Sequence, residues 1–169
     1  RESEAGGMSG RTQEIQRLIG RSLRAVVDMR ALGERTLVMD CDVLQADGGT
    51  RTAAITGAYV ALHMACERLM SLGILKSLPM RHQVAAISCG IYKGSSILDL
   101  DYAEDSTAEA DANFVLTSSG GLVELQATGE QGPFTQAQFE RMLKISEAGC
   151  AQLFALQLNA LQVSKPSSA

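Results

Sequence analysis

Two predicted β-hairpins lie between long amphipathic helices in this chain of 169 residues. The first hairpin joins Val84–Tyr92 to Ile97–Asp101 across a Lys-Gly turn, and the second joins Phe114–Thr117 to Leu122–Ala127 across Ser-Ser-Gly-Gly. With 46% hydrophobic residues, the chain can bury the core of one ordinary domain, or of two small lobes that share a sheet. We therefore expect sheet and helices to bury their apolar faces together.

Three long helices are predicted from apolar residues at spacings of three and four. The first runs from Arg11 to about Gly33, and the second from Thr50 to Leu72. The third opens at a capping box, Thr-Gln-Ala-Gln from Thr135, and ends near Leu161. The residues from Val163 onward are predicted to be a flexible tail.

A predicted strand at Thr36–Leu44 turns into the second helix through the sequence ADGGTRTA. Gly48 and Gly49 leave the backbone N–H groups open, and Thr50 and Arg51 add a hydroxyl and a forked positive donor. A helix N-terminus of this kind favours an anion such as phosphate. The alternative is a tight turn with an exposed arginine, since the segment has no Walker or GxGxxG pattern.

The first two helices open with the same short pattern, Arg-Thr-x-x-Ile, at Arg11 and at Arg51. Two helix N-termini that each carry an arginine are predicted to converge on one anion. Three further arginines, Arg17, Arg21 and Arg24, lie on another face of the first helix, where they either contact RNA or a neighbouring subunit or form a solvated face.

An acidic segment, DLDYAEDSTAEAD, follows the first hairpin. Carboxylates at this density either face water as a loop, or some of them converge on a divalent cation that offsets their repulsion. Magnesium would need only Asp105 and Asp111 brought together, because it binds through one or two carboxylates plus substrate phosphates. An anion site and a carboxylate cluster in one small domain are typical of phosphoryl-transfer chemistry.

The composition excludes several other classes of protein. The net charge of −4 gives no overall attraction to polyanions, so any contact with nucleic acid must come from local basic patches. No apolar run is long enough to span a membrane, so no membrane partner is expected. The cysteines lie apart within apolar runs and form no metal-ligand spacing: Cys41, Cys66, Cys89 and Cys150. This pattern fits a reducing cytoplasm and argues against a zinc site.

These motifs resemble ribonuclease PH, a phosphate-dependent 3′ exoribonuclease family also called tRNA nucleotidyltransferase. The resemblance runs from Arg1 to about Leu161, and the phrase CDVLQADGGTRTA is highly specific to the family. It implies an α+β fold like ribosomal protein S5 domain 2, with βαβ-rich mixed sheets and packed helices, as one domain over residues 1–162 and a flexible tail at 163–169. The family usually carries several more strands before Arg1, so we expect an N-terminally incomplete domain.

The resemblance also implies a reaction and its residues. Inorganic phosphate attacks the last internucleotide phosphorus of an RNA 3′ end, which releases a nucleoside diphosphate and trims tRNA precursors and other RNAs. The family's phosphate site falls on Arg11, Gly49, Thr50 and Arg51, and its acidic catalytic pair, with a Mg²⁺ ion, falls on Asp105 and Asp111. The family's assembly is a homo-hexamer built as a trimer of dimers.

Two other functions remain open at this stage. One is a non-catalytic, RNA-binding ring subunit of an exosome-like assembly, and the other is a simple anion-binding module. The joint presence of the phosphate residues and the acidic pair favours the enzyme, because a subunit without catalysis has no physical need for both.

Overall fold

The structure, a computed structural model, describes residues 10–163. Its helices are α1 (Gly10–Val26), α2 (Met29–Leu32), α3 (Thr50–Ser71), α4 (Tyr102–Asp105) and α5 (Gln136–Val163). Its strands are β1 (Val84–Tyr92), β2 (Ser95–Leu98), β3 (Ala110–Thr117) and β4 (Leu122–Thr128). The strands form one sheet in the order β2-β1-β3-β4, and every pairing in it is antiparallel, where mixed sheets were expected.

The two faces of the sheet are buried by different helices, which gives the protein two apolar cores. Because side chains alternate along a strand, β1 sends Val84 and Ala86 to one face and Ala85 and Ile87 to the other. The first face packs against α1 and α3, with Val26, Ile55, Tyr59, Leu62 and Cys66 in its core. The second packs against α5, with Phe114, Met142 and Cys150 in its core.

The free edge of β1 is closed by side chains from two helices. Strand β2 pairs only with the C-terminal half of β1, so within residues 10–163 the N-terminal half has no strand neighbour on that side. There the Thr56 hydroxyl accepts from the Ala86 N–H at 3.1 Å and donates to the Ala86 carbonyl at 3.2 Å. The buried Gln157 amide donates to the Val84 carbonyl at 2.9 Å and to the Thr56 carbonyl at 3.0 Å. These bonds satisfy backbone groups that a free edge would leave open.

The prediction of a strand at residues 36–44 was wrong. A strand is stabilised by hydrogen bonds to a neighbouring strand, and none of the described strands lies beside this segment. The alternation in the sequence survives only in part, because Leu37 and Met39 pack against the first core whereas Val38 and Leu44 are exposed. The alternation therefore indicated which side chains face the core, but did not by itself produce a strand.

The first helix is also shorter than predicted. It ends at Val26, because Val27 forms an isolated β-bridge with Met80. The next residue, Asp28, caps the separate helix α2 by accepting from the backbone N–H groups of Arg30 and Ala31.

The last helix extends to Val163, and the rest of the predicted tail, 164–169, lies outside the described residues. None of the helices in residues 10–163 is long and apolar enough to cross a membrane.

Candidate active site

A cavity of about 450 Å³ opens where three distant parts of the chain meet. The first turn of α1 contributes Arg11, and the loop before α3 contributes Gly49, Thr50 and Arg51. The third part follows β2 and includes both predicted catalytic carboxylates, Asp105 and Asp111. All six residues predicted to bind phosphate or act in catalysis therefore line one cavity.

The N-terminus of α3 presents unpaired backbone N–H groups to this cavity. Gly49 is the N-cap residue, in the left-handed conformation with φ 58°, and no described side chain caps the helix. The first helical hydrogen bond runs from the Ala53 N–H to the Gly49 carbonyl at 2.9 Å, so the preceding N–H groups have no helical partner. Sequence reasoning predicted both the start of this helix at Thr50 and its open N-terminus.

Gly48 joins this loop to the acidic segment. Its φ of 87° suits glycine, and a Cβ at this position would collide with the backbone carbonyl oxygen of Leu100. Leu100 is itself buried against Gly90 of β1, where a Cβ would lie 2.8 Å from its side chain. Two glycines thus allow the loop before α3 to pack directly on the backbone that leads into α4.

The floor of the cavity is the polar end of one sheet face. Ser88 of β1 lies opposite Asn113 of β3, and Gly90 lies opposite Asp111 in the same register. These positions alternate with the apolar residues of the second core, so they face the same side as α1 and α3. Asp111 was predicted in an acidic loop, but it lies within β3, which fixes its carboxylate to the sheet.

Asp111 has a buried carboxylate oxygen, Oδ1, with no hydrogen-bond partner among the described residues. Burial, followed by the negative charges of Asp105 and Glu130, raises the pKa of Asp111 above its ordinary value. A hydrogen bond from its own backbone and the positive charge of Arg51 act in the opposite direction. The carboxylate is therefore held in a site that disfavours its charge and leaves one oxygen available to a ligand.

Arg51 points toward both α1 and β4. Its Nη1 lies 3.5 Å from Glu14 Oε1 and 3.3 Å from Gln126 Oε1, and 23% of its side chain is exposed. Only one of its guanidinium nitrogens makes these contacts, so the forked donor is only partly engaged. Arg51 thus contacts α1 through Glu14, and the convergence of Arg11 and Arg51 on one anion stays a prediction.

The structure does not bring the other three arginines to the cavity. Arg17 and Arg21 line a separate cleft of about 240 Å³ between α1 and β4, where Arg21 forms an ion pair of 2.6 Å with Glu124. Arg24 lines a larger groove, of about 630 Å³, beside residues 37–43. Their contact with RNA or a subunit stays a prediction.

Sequence reasoning missed three residues that line the cavity, Ser88, Tyr102 and Asn113. Ser88 is 7% exposed, and its hydroxyl has no hydrogen-bond partner among the described residues. A Cβ on Gly49 would lie 3.3 Å from that hydroxyl. A single serine inside the apolar strand VAAISCGIY was the available signal, because a polar group in such a strand needs a partner.

The chain is similar to known proteins in sequence and in fold. Sequence models of the 3′ exoribonuclease family match the chain twice, domain 1 at residues 1–66 and domain 2 at residues 82–149. Ribonuclease PH of Caulobacter vibrioides is 63% identical over 161 residues, which cover 95% of this chain and 68% of that protein. Ribonuclease PH of Methylobacterium nodulans gives the same identity and coverage. The chain thus spans about two thirds of the length of these relatives.

Two solved structures share the fold at low sequence identity. Rice (Oryza sativa) Rrp46 superposes with a TM-score of 0.66 at 19% identity, over 94% of this chain and 69% of that one. A chain of the Archaeoglobus fulgidus exosome, solved with RNA bound to the active site, gives a TM-score of 0.68 at 18% identity, over 91% and 64%. The predicted α+β fold of this family is therefore confirmed.

Proposed function

The chain belongs to the 3′ exoribonuclease family that includes ribonuclease PH, and we propose that its 450 Å³ cavity is the active site of a phosphorolytic exoribonuclease. The substrate is an RNA 3′ end, with tRNA precursors the chief case, and inorganic phosphate is the co-substrate. The observation that carries the proposal is the meeting of an arginine-bearing helix N-terminus and two carboxylates in one cavity.

The phosphate site consists of Arg11, Gly49, Thr50 and Arg51. The open N–H groups of α3 and the positive end of its dipole bind a phosphate oxygen, and Gly49 lets it approach the backbone. The two guanidinium groups supply charge-assisted hydrogen bonds in a geometry that matches phosphate. The unpartnered hydroxyl of Ser88, beneath Gly49, is a further donor on the floor of this site.

The reaction is an in-line displacement at phosphorus. An oxygen of inorganic phosphate bonds to the last internucleotide phosphorus, and the bond from that phosphorus to the 3′ oxygen of the preceding nucleotide breaks. The 3′ oxygen takes a proton, and the terminal nucleotide leaves as a nucleoside diphosphate whose β-phosphate was the attacking group. Asp105 and Asp111 are the groups in the cavity that act on the leaving 3′ oxygen, either by supplying this proton or by holding Mg²⁺.

Asp105 and Asp111 also fit a Mg²⁺ ion. Carboxylate oxygens are the ligands that Mg²⁺ prefers, and Asp111 Oδ1 is buried without a partner in the described chain. No group of three or more His, Cys, Asp or Glu side chains within residues 10–163 could hold a metal, so any ion here depends on substrate phosphates for further ligands. When bound, Mg²⁺ would neutralise charge on the phosphates. Without it, the same two carboxylates repel each other, which contributes to the raised pKa of Asp111.

The proposal includes a homo-oligomeric assembly, a hexamer formed as a trimer of dimers, and location in the cytoplasm. Similarity to ribonuclease PH and to an exosome chain supports assembly with other subunits. The four cysteines are all free, and three of them are buried as thiols, which supports a reducing compartment.

A non-catalytic ring subunit is the second candidate. The fold is shared with rice Rrp46, at an identity too low to carry function. The presence of Arg11, Thr50, Arg51, Asp105 and Asp111 around one cavity favours the enzyme, because a subunit that only binds RNA gains nothing from two mutually repelling carboxylates, of which Asp111 is half-buried.

Labelled phosphate tests the proposal directly. The protein is incubated with a short RNA, Mg²⁺ and ³³P-labelled orthophosphate, and phosphorolysis predicts that the label appears in the β-phosphate of released nucleoside diphosphates. Omitting phosphate should stop release. Unlabelled monophosphates released without added phosphate would show hydrolysis instead, and RNA binding without any release would favour the ring subunit.

A further inference from the structure

Tyr102 is the one tyrosine that the fold leaves open to solvent, and it lines the candidate active site. It is 71% exposed, whereas Tyr59 is buried and Tyr92 is half-buried beside the Lys93 ammonium, 4.6 Å from its ring. A ring with this exposure contributes little buried area to the fold, and it lines a cavity that also holds charged side chains. Its position beside Asp105 and Asp111 points to a ligand with a flat, apolar face.

The turn that carries Tyr102 is rigid. Asp101 accepts from the Glu104 N–H at 2.8 Å, and Glu104 accepts from the Asp101 N–H at 3.1 Å, which forms a complete capping box around α4. The Thr107 hydroxyl also donates to the Ala103 carbonyl at 2.9 Å. A ring held on such a turn loses little conformational freedom when a ligand stacks on it.

The same turn is fixed relative to the phosphate loop. Gly48 packs against the backbone of Leu100 and Asp101, immediately before Tyr102. Tyr102 and Asp105 lie three residues apart in α4, a spacing that places them about 5 Å apart on one side of a helix. A base that stacks on the ring therefore belongs to a nucleotide bound in the same cavity as Asp105.

Charge selects which part of an RNA can bind here. The residues around Tyr102 include Asp99, Asp101, Glu104 and Asp105, which repel phosphodiester oxygens. The aromatic ring is the neutral surface on this acidic turn, and nucleobases stack on aromatic side chains whatever their identity. We propose that Tyr102 is a stacking platform for the base of the 3′-terminal nucleotide, an inference that rests on the proposed function.

The sequence offers a direct probe, because the chain contains no tryptophan. Tyr102→Trp keeps an aromatic platform and creates a single fluorophore at the site. Leu156→Trp is the matched control, since Leu156 is 60% exposed on α5, which packs on the opposite face of the sheet. Both proteins are titrated without phosphate, so that no phosphorolysis occurs, with an RNA and with the same RNA lacking only its 3′-terminal base.

Stacking predicts that the intact RNA changes the emission of Tyr102→Trp, that the RNA without its terminal base changes it far less, and that Leu156→Trp responds to neither. An equal response of Tyr102→Trp to both RNAs, or no response, would overturn the proposal. Kinetics supply a second readout: Tyr102→Ala raises the KM for RNA by roughly 5- to 150-fold, with the KM for phosphate unchanged, and Tyr102→Phe restores the wild-type value.

The two proposals fail in different ways. If the wild-type protein releases nucleoside diphosphates while the emission of Tyr102→Trp does not change, the stacking platform is contradicted. The proposal of a phosphorolytic enzyme then still holds. If the wild-type protein releases no nucleoside diphosphate while Tyr102→Trp responds only to the RNA with its terminal base, phosphorolysis is contradicted. The stacking platform is then supported as an RNA-binding feature.

Discussion

Gly48 and Leu100 are packed so closely that a Cβ on the glycine would collide with the leucine carbonyl oxygen. The contact joins the loop before α3 to the segment that carries Tyr102 and Asp105. Gly48→Ala is therefore expected to separate the phosphate residues from the acidic residues, as well as to strain a backbone with φ 87°. The expected results are a loss of about 1–3 kcal/mol in the free energy of unfolding and weaker phosphate binding, measured by urea denaturation and by calorimetric titration.

Gly120→Ala is the matched control for that change. Gly120 has a similar φ of 84° in the β3–β4 turn, but no described atom beyond its chain neighbours lies within 4 Å of a Cβ built on it. It should lose stability through backbone strain alone and keep its affinity for phosphate. Equal phosphate affinity in both variants would contradict a positioning role for Gly48.

Asp111→Asn is expected to make the protein more stable and less active. Burial, with the charges of Asp105 and Glu130, raises the pKa of Asp111, so the charged form is less favourable in the folded protein than in the unfolded chain. The variant should therefore have the higher unfolding free energy at neutral pH, with turnover lowered by roughly 10²- to 10⁴-fold.

The gain in unfolding free energy of Asp111→Asn depends on pH, because the pKa of Asp111 is raised in the folded protein. Above the pKa that Asp111 has in the folded protein, its charged carboxylate lowers the free energy of unfolding of the wild-type protein. This loss shrinks as pH falls. It disappears below about pH 3.9, where the carboxyl is protonated in both states. Urea denaturation of both proteins across this range checks the sign, and a variant that is less stable at neutral pH would show that Asp111 makes a compensating contact.

Arg51→Ala should raise the KM for phosphate. Among residues 10–163, the guanidinium contacts Glu14 and Gln126 through one nitrogen, and its other donors are open to an anion. Loss of a charge-assisted hydrogen bond predicts an increase of roughly 10- to 100-fold, measured by varying phosphate at saturating RNA. Arg21→Ala removes a guanidinium that pairs with Glu124 outside the cavity and should leave this KM unchanged. An unchanged KM in Arg51→Ala would remove Arg51 from the phosphate site.

Two buried serines, Ser88 and Ser146, differ in whether the hydroxyl has a hydrogen-bond partner, and we expect them to differ in function. The Ser146 hydroxyl donates to the Met142 carbonyl at 2.8 Å, whereas the Ser88 hydroxyl has no partner among the described residues. Ser146→Ala should lower the unfolding free energy by about 1 kcal/mol, and Ser88→Ala should not lower it.

Phosphate titration then separates the roles of the two serines. Ser88→Ala is expected to weaken phosphate binding by roughly 2- to 10-fold, with no change in Ser146→Ala. A loss of stability in Ser88→Ala without any loss of phosphate affinity would assign Ser88 to the fold alone.

The sequence predicted the turns and helix starts that are determined by residues close together in the chain. The turn between β1 and β2 was predicted from Lys93-Gly94, and both residues have positive φ, 50° and 74°, as a two-residue hairpin turn requires. The helix start at Thr50 followed from the glycines before it. These features depend on residues within a few positions of each other.

Non-local packing decided the rest. The alternation at residues 36–44 could not produce a strand without a neighbouring strand, and Asp111 was assigned to a loop because its strand is specified by pairing with β1. Ser88 was missed for the same reason, because the register of β1 with β3 places it beside the strand that carries Asp111. Tyr102 lies three residues from Asp105 in the chain, but only the packing of Gly48 on the backbone of Leu100 and Asp101 brings it to the phosphate loop.

The closure of the β1 edge by Thr56 and Gln157 limits how copies of this protein can associate. A second polypeptide cannot extend the sheet along that half of β1, since the hydroxyl and amide already occupy its carbonyls and N–H group. Growth of the sheet into a continuous intermolecular ribbon would have to begin at β4 or at the outer edge of β2, the two border strands of the described sheet. Higher-order association through the α3 and α5 side of the molecule must therefore rely on side-chain contacts between helices.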